Sequence, residues 1–275
     1  MTYAENIKIV ELNVTEICNR RCWFCPRHDP EVYPNRFDQY MTPNTYYDIL
    51  RSLESTIFNG IISNAGFGDP LYAKQLLEGI KILSKKYPIK IITNGDRLNL
   101  ELINKFEKLN VQEFKVDLYD GPHQYEFMME MFKHSQYTIV DTFSESTNLD
   151  KKEVILNKVY AKTIESLNYY NRAGSAEIQG HKGNTLDRPC YVPFYKIKID
   201  WNGQYLLCMS DWHREADISK DKTYNVKDMN VEEYLQSDRF KDFVKSMTST
   251  KRNDLTPCNK CDINGMECGE LWSHA

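Results

Sequence analysis

The sequence predicts an α/β chain: a parallel sheet with covering helices, followed by a smaller, loop-rich appendage. From Ile7 to about Gln179, short β-rich runs alternate with helical stretches, the rhythm of a parallel sheet. Past Asp187 that rhythm breaks into a hairpin, one helix and a tail. The eight cysteines follow the same division, with three near the N-terminus, five in the last third and none between residues 26 and 189. We therefore expect two units, residues 1–186 and residues 187–275.

The predicted strands are Ile7–Val14, Gly60–Ala65, Ile89–Thr93, Glu113–Leu118, Tyr137–Asp141 and, about, Ser175–Ile178. Between them Thr42 and Pro43 form an N-cap and first-turn pair for a helix running to about Ile57, with Ile49, Leu50 and Leu53 at helical spacing. Leu71–Lys86, Leu98–Leu109 and Tyr125–His134 read as helices in the same way, and these apolar stripes are core. In the appendage, Tyr195–Trp201 alternates apolar and polar residues, Asn202-Gly203 is a two-residue turn, and Gln204–Cys208 returns. A helix over Val231–Met247 precedes the tail Asn253–Ala275.

Hydrophobic residues make up 41% of the 275 and charged residues 27%, which suits a folded globular chain and not a disordered one. With a net charge of -4 and interspersed signs there is no basic footprint for nucleic acid. No apolar run approaches the roughly 20 residues of a membrane span, and no signal-peptide cleavage pattern opens the chain, so we expect a cytoplasmic protein with no membrane partner. In that setting CxxC spacings point to metal rather than to disulfides.

Cys18-Asn-Arg-Arg-Cys22-Trp-Phe-Cys25 follows the first strand with CxxxCxxC spacing. Three thiolates on one loop can hold three irons of a [4Fe-4S] cube and leave the fourth open to a ligand. Zinc wants four protein ligands, and only His28 lies near as a fourth. This spacing after a first strand resembles the radical SAM superfamily, and the resemblance extends over nearly the whole chain. It implies a partial (β/α)6 barrel whose open iron chelates S-adenosylmethionine and cleaves it to a 5′-deoxyadenosyl radical.

Other motifs fall in the order the resemblance requires, at strand ends, where barrel enzymes place their chemistry. Gly66-Phe67-Gly68-Asp69-Pro70 looks like the glycine-rich motif that receives the methionine amino group, with Asp69 where the family usually has Glu. Thr93-Asn94-Gly95 closes the third strand, and Asp117-Leu118-Tyr119-Asp120-Gly121-Pro122 the fourth, with Asp117 near the expected ribose. Asn94-Gly95 and Asp120-Gly121-Pro122 are also good turns in their own right. Asn171-Arg172-Ala173-Gly174 resembles a segment of small family members in which the arginine faces the active site. Arg172, Asp117 and Tyr119 are thus the catalytic candidates, with His123 and His181 as further neighbours; Gly66, Phe67, Gly68, Asp69, Thr93, Asn94, Asp117 and Arg172 are the cofactor-binding candidates.

In the appendage, Cys190 is followed by twelve residues, Gly203, four residues and Cys208; Cys258-Asn-Lys-Cys261 and Cys268 lie in the tail. This order resembles the SPASM and Twitch auxiliary-cluster domains, and five cysteines imply Twitch, a small β-hairpin plus helix domain with one auxiliary [4Fe-4S] cluster. Cys190, Cys208, Cys258 and Cys261 would ligate it, with Cys268 able to replace one of them. The spacings alone also allow a zinc site of four cysteines.

The resemblance reaches to aminocyclitol dehydrogenases with one Twitch cluster. It implies two [4Fe-4S] clusters, S-adenosylmethionine, a sugar or cyclitol substrate oxidised at a carbinol carbon, and a reductant such as flavodoxin or ferredoxin. Two other readings stand beside it: a maturase that epimerises or crosslinks a ribosomally made peptide, and a non-catalytic metal-binding protein.

Overall fold

The computed structural model describes residues 3–140, 151–162, 171–176, 189–248 and 252–263. Among the described residues the first unit contributes to the main sheet the parallel strands β1 (Ile9–Asn13), β2 (Ile61–Ala65), β3 (Ile89–Thr93), β4 (Val111–Leu118), β5 (Thr138–Val140) and β6 (Glu153–Lys158). The sheet runs β1-β2-β3-β4-β6-β5. Val10, Leu12, Ile62, Ile89, Ile91, Val116 and Val154 are fully buried within it, as expected of a parallel sheet covered on its faces.

Helices α1 (Pro43–Glu54), α2 (Leu76–Leu83), α3 (Leu100–Lys108) and α4 (Pro122–Lys133) cover the sheet. Thr42 caps α1 by accepting from the Thr45 amide at 3.3 Å, and Asn99 caps α3 by accepting from Leu102 at 2.8 Å. Each cap satisfies an amide the first helical turn leaves without a partner. The helix expected from Leu71 begins only at Leu76, because Asp69 and Pro70 set a separate 3-10 turn over Pro70–Tyr72.

Ser175, where the last strand was expected to begin, lies in a turn, and the rest of that stretch from residue 177 onward lies outside the described residues. A strand not expected from the sequence, β6, pairs parallel to β4 from Glu113↔Glu153 to Leu118↔Lys158.

The appendage is also joined to the sheet. Its hairpin, β7 (Lys196–Ile199) and the short β8 (Tyr205–Leu206), adds to the far edge, β7 lying parallel to β1 from Ile9↔Lys196 to Leu12↔Ile199. The expected return strand to Cys208 is thus cut to two residues. Glu11 of β1 is buried between Lys198, at 2.6 Å, and Lys196, at 3.4 Å, of β7. The expected helix over 231–247 is two, α5 (Val231–Gln236) and α6 (Asp238–Thr248). Ser237 divides them, its hydroxyl donating to the Tyr234 carbonyl at 2.7 Å and accepting from the Phe240 amide at 3.3 Å. Ser52 of α1 accepts from the Val231 amide at 2.8 Å, which fixes α5 to the barrel.

Parallel registration brings Asn13, Ala65, Thr93, Leu118 and Lys158 to one end of the sheet. Every motif of the first unit opens there. Among the described residues no helix is long and apolar enough to cross a membrane.

Candidate active site

The loop of Cys18, Cys22 and Cys25 leaves β1 through a short ribbon in which Thr15–Glu16 pairs with Arg36–Tyr40. Asn35 holds Cys18 by both peptide groups, accepting from its amide at 3.0 Å and donating to its carbonyl at 3.1 Å. The Cys25 amide donates to the Cys22 carbonyl at 2.9 Å, which curls the loop. Arg20 pins the loop from outside, donating to Asp96 at 2.6 and 2.7 Å and to Asp120 at 2.8 Å. Asp120 therefore has a specific partner beyond its place in a turn.

The three thiols converge. Burial, then the neighbouring Cys25 and Cys18, pushes the Cys22 thiol up to about 12. A bound cationic cluster would relieve that mutual repulsion. His28, the one nearby alternative ligand, is exposed, with Nδ1 3.3 Å from the Arg21 carbonyl. The loop thus offers three sulfurs and no fourth protein ligand among the described residues, which fits a cube with one open iron.

Beside Cys22 lies a cavity of about 430 Å³ lined by Arg20, Phe24, Tyr119, Tyr160 and Lys162 among others, within the usual size for a small-molecule site. Tyr119 stacks on Phe24 with centroids 6.0 Å apart, and the Arg20 guanidinium lies 5.1 Å from the Tyr119 centroid. Burial, then Asp117 and the three thiols, raises the Tyr119 hydroxyl well above its ordinary value. Asp117 accepts from Asn157 of β6 at 2.5 Å. His123 is exposed at the start of α4, and His181 lies outside the described residues.

The glycine-rich loop is pressed against the base of the cysteine loop. A Cβ on Gly66 (φ +139°) would lie 2.5 Å from Asn13 Oδ1, and one on Gly68 2.5 Å from the Thr15 and Ile17 carbonyls, so only glycine fits either place. The Phe67 amide donates to Asn13 Oδ1 at 2.8 Å, and its carbonyl accepts from Arg27. Asp69 is 5% exposed and accepts from the Leu71 amide at 3.0 Å and from the Thr93 hydroxyl and Asn94 amide, both at 2.8 Å. Its carboxylate latches the second and third strand loops together. Asn94 in turn donates to Asn19 at 2.9 Å and reaches Cys18 Sγ at 3.9 Å.

A buried ion network underlies both loops. Arg27, 3% exposed, donates to Glu16 at 2.8 Å; Arg214 donates to Glu16 at 2.5 Å and to Asp200 at 2.6 Å; Asn13 donates to Glu16 at 2.9 Å and to Asp200 at 2.7 Å. Two acids and two bases balance. The Phe67 ring packs 4.4 Å from Trp212 and 5.1 Å from the Arg214 guanidinium. Asn13, Glu16, Arg27, Trp212 and Arg214 were not singled out in the sequence. The only signal was local: Arg27 is the second residue after Cys25, and Arg214 the sixth after Cys208.

Cys190, Cys208, Cys258 and Cys261 line a second cavity, with Ala173 and Arg252. Cys208 accepts from the Ser210 amide at 3.3 Å, and the Cys261 amide donates to the Cys258 carbonyl at 3.1 Å. Burial, then Cys190 and Cys261, pushes the Cys258 thiol up to about 12, and the Cys208 thiol is raised by burial and by Cys258 and Cys261. Four thiols lining one cavity, three of them buried, fit a fully ligated cluster. All seven described cysteines are free of disulfides, and Cys268 lies outside the described residues. Among the described residues no metal-ligating side chains are already drawn into a closed shell. The four thiols of the second site share a cavity rather than close on a point.

Arg172 stands between the two sets. It begins a run of left-handed residues, Arg172 (φ 49°), Ala173 (φ 55°) and Gly174 (φ 81°), a conformation that is costly for the first two. Asn171 holds the run to the second site, its amide donating to Asp262 and its side chain to the Lys260 carbonyl, both at 2.7 Å. Ala173 lines the four-cysteine cavity, while the Arg172 charge favours ionisation of Cys25.

A model of the Radical SAM superfamily matches residues 12–175, and one of the SPASM iron-sulfur cluster-binding domain matches residues 190–262. The chain is 25% identical over 271 residues to the S-adenosyl-L-methionine-dependent 2-deoxy-scyllo-inosamine dehydrogenase of Niallia circulans, covering 97% of each chain. Its fold is similar to the crystal structure of BtrN in complex with AdoMet and 2-DOIA, with a TM-score of 0.71, 23% identity and 94% of each chain covered. An open conformation of BtrN gives a TM-score of 0.63 at 21% identity, with 94% of this chain and 92% of that one covered.

Proposed function

The chain belongs to the radical SAM superfamily and is an S-adenosylmethionine-dependent iron-sulfur enzyme; from that premise we propose that it is a dehydrogenase that oxidises a carbinol carbon of a small sugar or aminocyclitol. The placement of Arg172 between the three-thiol and four-thiol sites carries this reading. A substrate held there would face the radical-generating site on one side and an electron acceptor on the other.

In this reading Cys18, Cys22 and Cys25 would hold a [4Fe-4S] cluster, which when bound would supply the electron for reductive cleavage of S-adenosylmethionine. The cavity beside Cys22 receives the adenosine, with Phe24 and Tyr119 as stacking surfaces and Asp117 for the ribose. Gly66, Phe67 and Gly68 bring backbone to the methionine end, while Asp69, Thr93 and Asn94 hold that backbone in place. Arg172 orients the substrate hydroxyl. The carbinol hydrogen goes to deoxyadenosine, the hydroxyl proton to a base, and the remaining electron to a second [4Fe-4S] cluster on Cys190, Cys208, Cys258 and Cys261. Substrate loses two electrons and two protons, giving a ketone.

The Niallia circulans relative, a dehydrogenase acting on 2-deoxy-scyllo-inosamine, supports an aminocyclitol as substrate class. The separate matches over residues 12–175 and 190–262 support a barrel over residues 1–186 and an auxiliary domain over 187–275. An acidic one-electron carrier such as flavodoxin or ferredoxin supplies the first electron, and unpaired thiols suit a reducing cytoplasm.

The reading is tested under anaerobic conditions with reconstituted protein, S-adenosylmethionine, a low-potential reductant and an aminocyclitol deuterated at the carbinol carbon. Deuterium in 5′-deoxyadenosine and a ketone product are expected. Deuterium arriving instead from the α-carbon of a peptide would replace this reading with peptide maturation, and no cleavage at all would leave a binding protein.

A further inference from the structure

Arg252 is 1% exposed and lines the same cavity as Cys190, Cys208, Cys258 and Cys261. Its Nη1 donates to the Ile263 carbonyl at 3.0 Å and its Nη2 to the Cys261 carbonyl at 2.9 Å. Its buried Nε has no hydrogen-bond partner among the described residues, and no carboxylate there pairs with it. A guanidinium stays ionised at any working pH, so this is a fixed positive charge in the cavity, with no carboxylate in a salt bridge to it among the described residues. Its bond to the Cys261 carbonyl and its place in the same cavity lining set the guanidinium beside the sulfurs.

We propose that Arg252 is a positioning residue that raises the reduction potential of the auxiliary cluster and so makes the four-thiol site the electron acceptor. The inference rests on the reading above, that those four thiols hold a [4Fe-4S] cluster. A cube with four thiolates becomes one unit more negative on taking an electron. A fixed cation in the same low-dielectric cavity stabilises the reduced form more than the oxidised one. The two carbonyl bonds keep the guanidinium plane in place as the cluster charge changes. At the open first site, by contrast, Arg20 is paired with Asp96 and Asp120, and Arg27 with Glu16.

The test is a redox titration followed by electron paramagnetic resonance, on protein whose Cys18, Cys22 and Cys25 are alanine so that only the second cluster reports. R252Q and R252M are each expected to make reduction at least tenfold less favourable, about 59 mV lower in midpoint per tenfold for one electron. R252K, which keeps the charge, is expected to recover most of that difference. An unchanged midpoint in R252Q or R252M, or an equal fall in R252K, overturns the proposal. Loss of iron from both uncharged variants assigns Arg252 to the scaffold and overturns it equally. If the parent protein carries zinc at this site, the cluster reading itself fails, which is distinguishable because no signal appears before Arg252 is altered.

Discussion

The two thiol sites solve opposite problems with the same side chain. The first takes three cysteines from a single short loop, clamps them from behind with Asn35, Arg20 and Arg27, and leaves an aromatic cavity beside them. The second gathers four cysteines from a strand approach, a hairpin and the tail into a cavity they share with Leu207, Phe243, Met247 and Arg252. The contrast shows how ligand number and burial separate a site open to chemistry from one suited to storing an electron.

The largest effect should come from breaking the sites separately. Cys22→Ala is expected to abolish reductive cleavage, read as 5′-deoxyadenosine by chromatography. Cys261→Ala is expected to leave cleavage running with little ketone formed, an uncoupling of tenfold or more in the product ratio. Equal ketone yield from the Cys261 variant would remove the electron-acceptor role from the second site. Iron analysis sharpens the same contrast, with about eight irons per chain expected, four for each cube, and about four in each variant.

The ion network ties the sites together and gives the next effect. Arg214→Met leaves Glu16 and Asp200 short of a buried partner, a loss on the order of 3–5 kcal/mol, and frees one face of Phe67. A lower melting temperature together with weaker S-adenosylmethionine binding by equilibrium dialysis is expected. Lower stability with unchanged binding would show that the network only holds the fold.

Asp69→Asn tests the latch between strand loops. The amide keeps the shape but loses a charged acceptor for Thr93 and Asn94, at a cost of about 1–3 kcal/mol. The expectation is a raised KM for S-adenosylmethionine with kcat little changed, since the carboxylate touches backbone and not the reacting atoms.

The smallest effect is in acid. Burial alone would raise the Glu11 carboxyl, but Lys198 and Lys196 hold it down at about 2. A depressed carboxyl contributes stability above its unfolded value near 4.5 and loses it as pH falls toward 2. Glu11→Gln should therefore flatten melting temperature against pH in that window, by about 3 kcal/mol in stability at most. An unchanged slope would assign the acid transition to other carboxylates.

What could be read from the sequence was what is local. The CxxxCxxC loop and the Thr42 cap involve neighbours only, and strands such as Ile89–Thr93 are rich in β-branched residues. The strand β6 was not read because Val154-Ile155-Leu156 is only three apolar residues between Glu153 and Asn157, and its identity comes from pairing with β4. Ser237-Asp238 inside an otherwise periodic helix was a readable break that the apolar period concealed. The ion network was hidden for a deeper reason, since Asn13, Arg27 and Asp200 meet only once β7 has found β1. Asp69, read as a departure from the usual Glu, is shorter by one methylene and turns that difference into bonds with Leu71, Thr93 and Asn94.

The parallel pairing of β7 with β1 bears on how an electron crosses the molecule. Tunnelling rates fall off steeply with distance, so an enzyme whose acceptor hung on a hinge would show turnover sensitive to solvent viscosity. Here backbone hydrogen bonds between Ile9–Leu12 and Lys196–Ile199 set the span from one group of sulfurs toward the other. The gap is built into the sheet, and the electron's path should be as rigid as the strands that frame it.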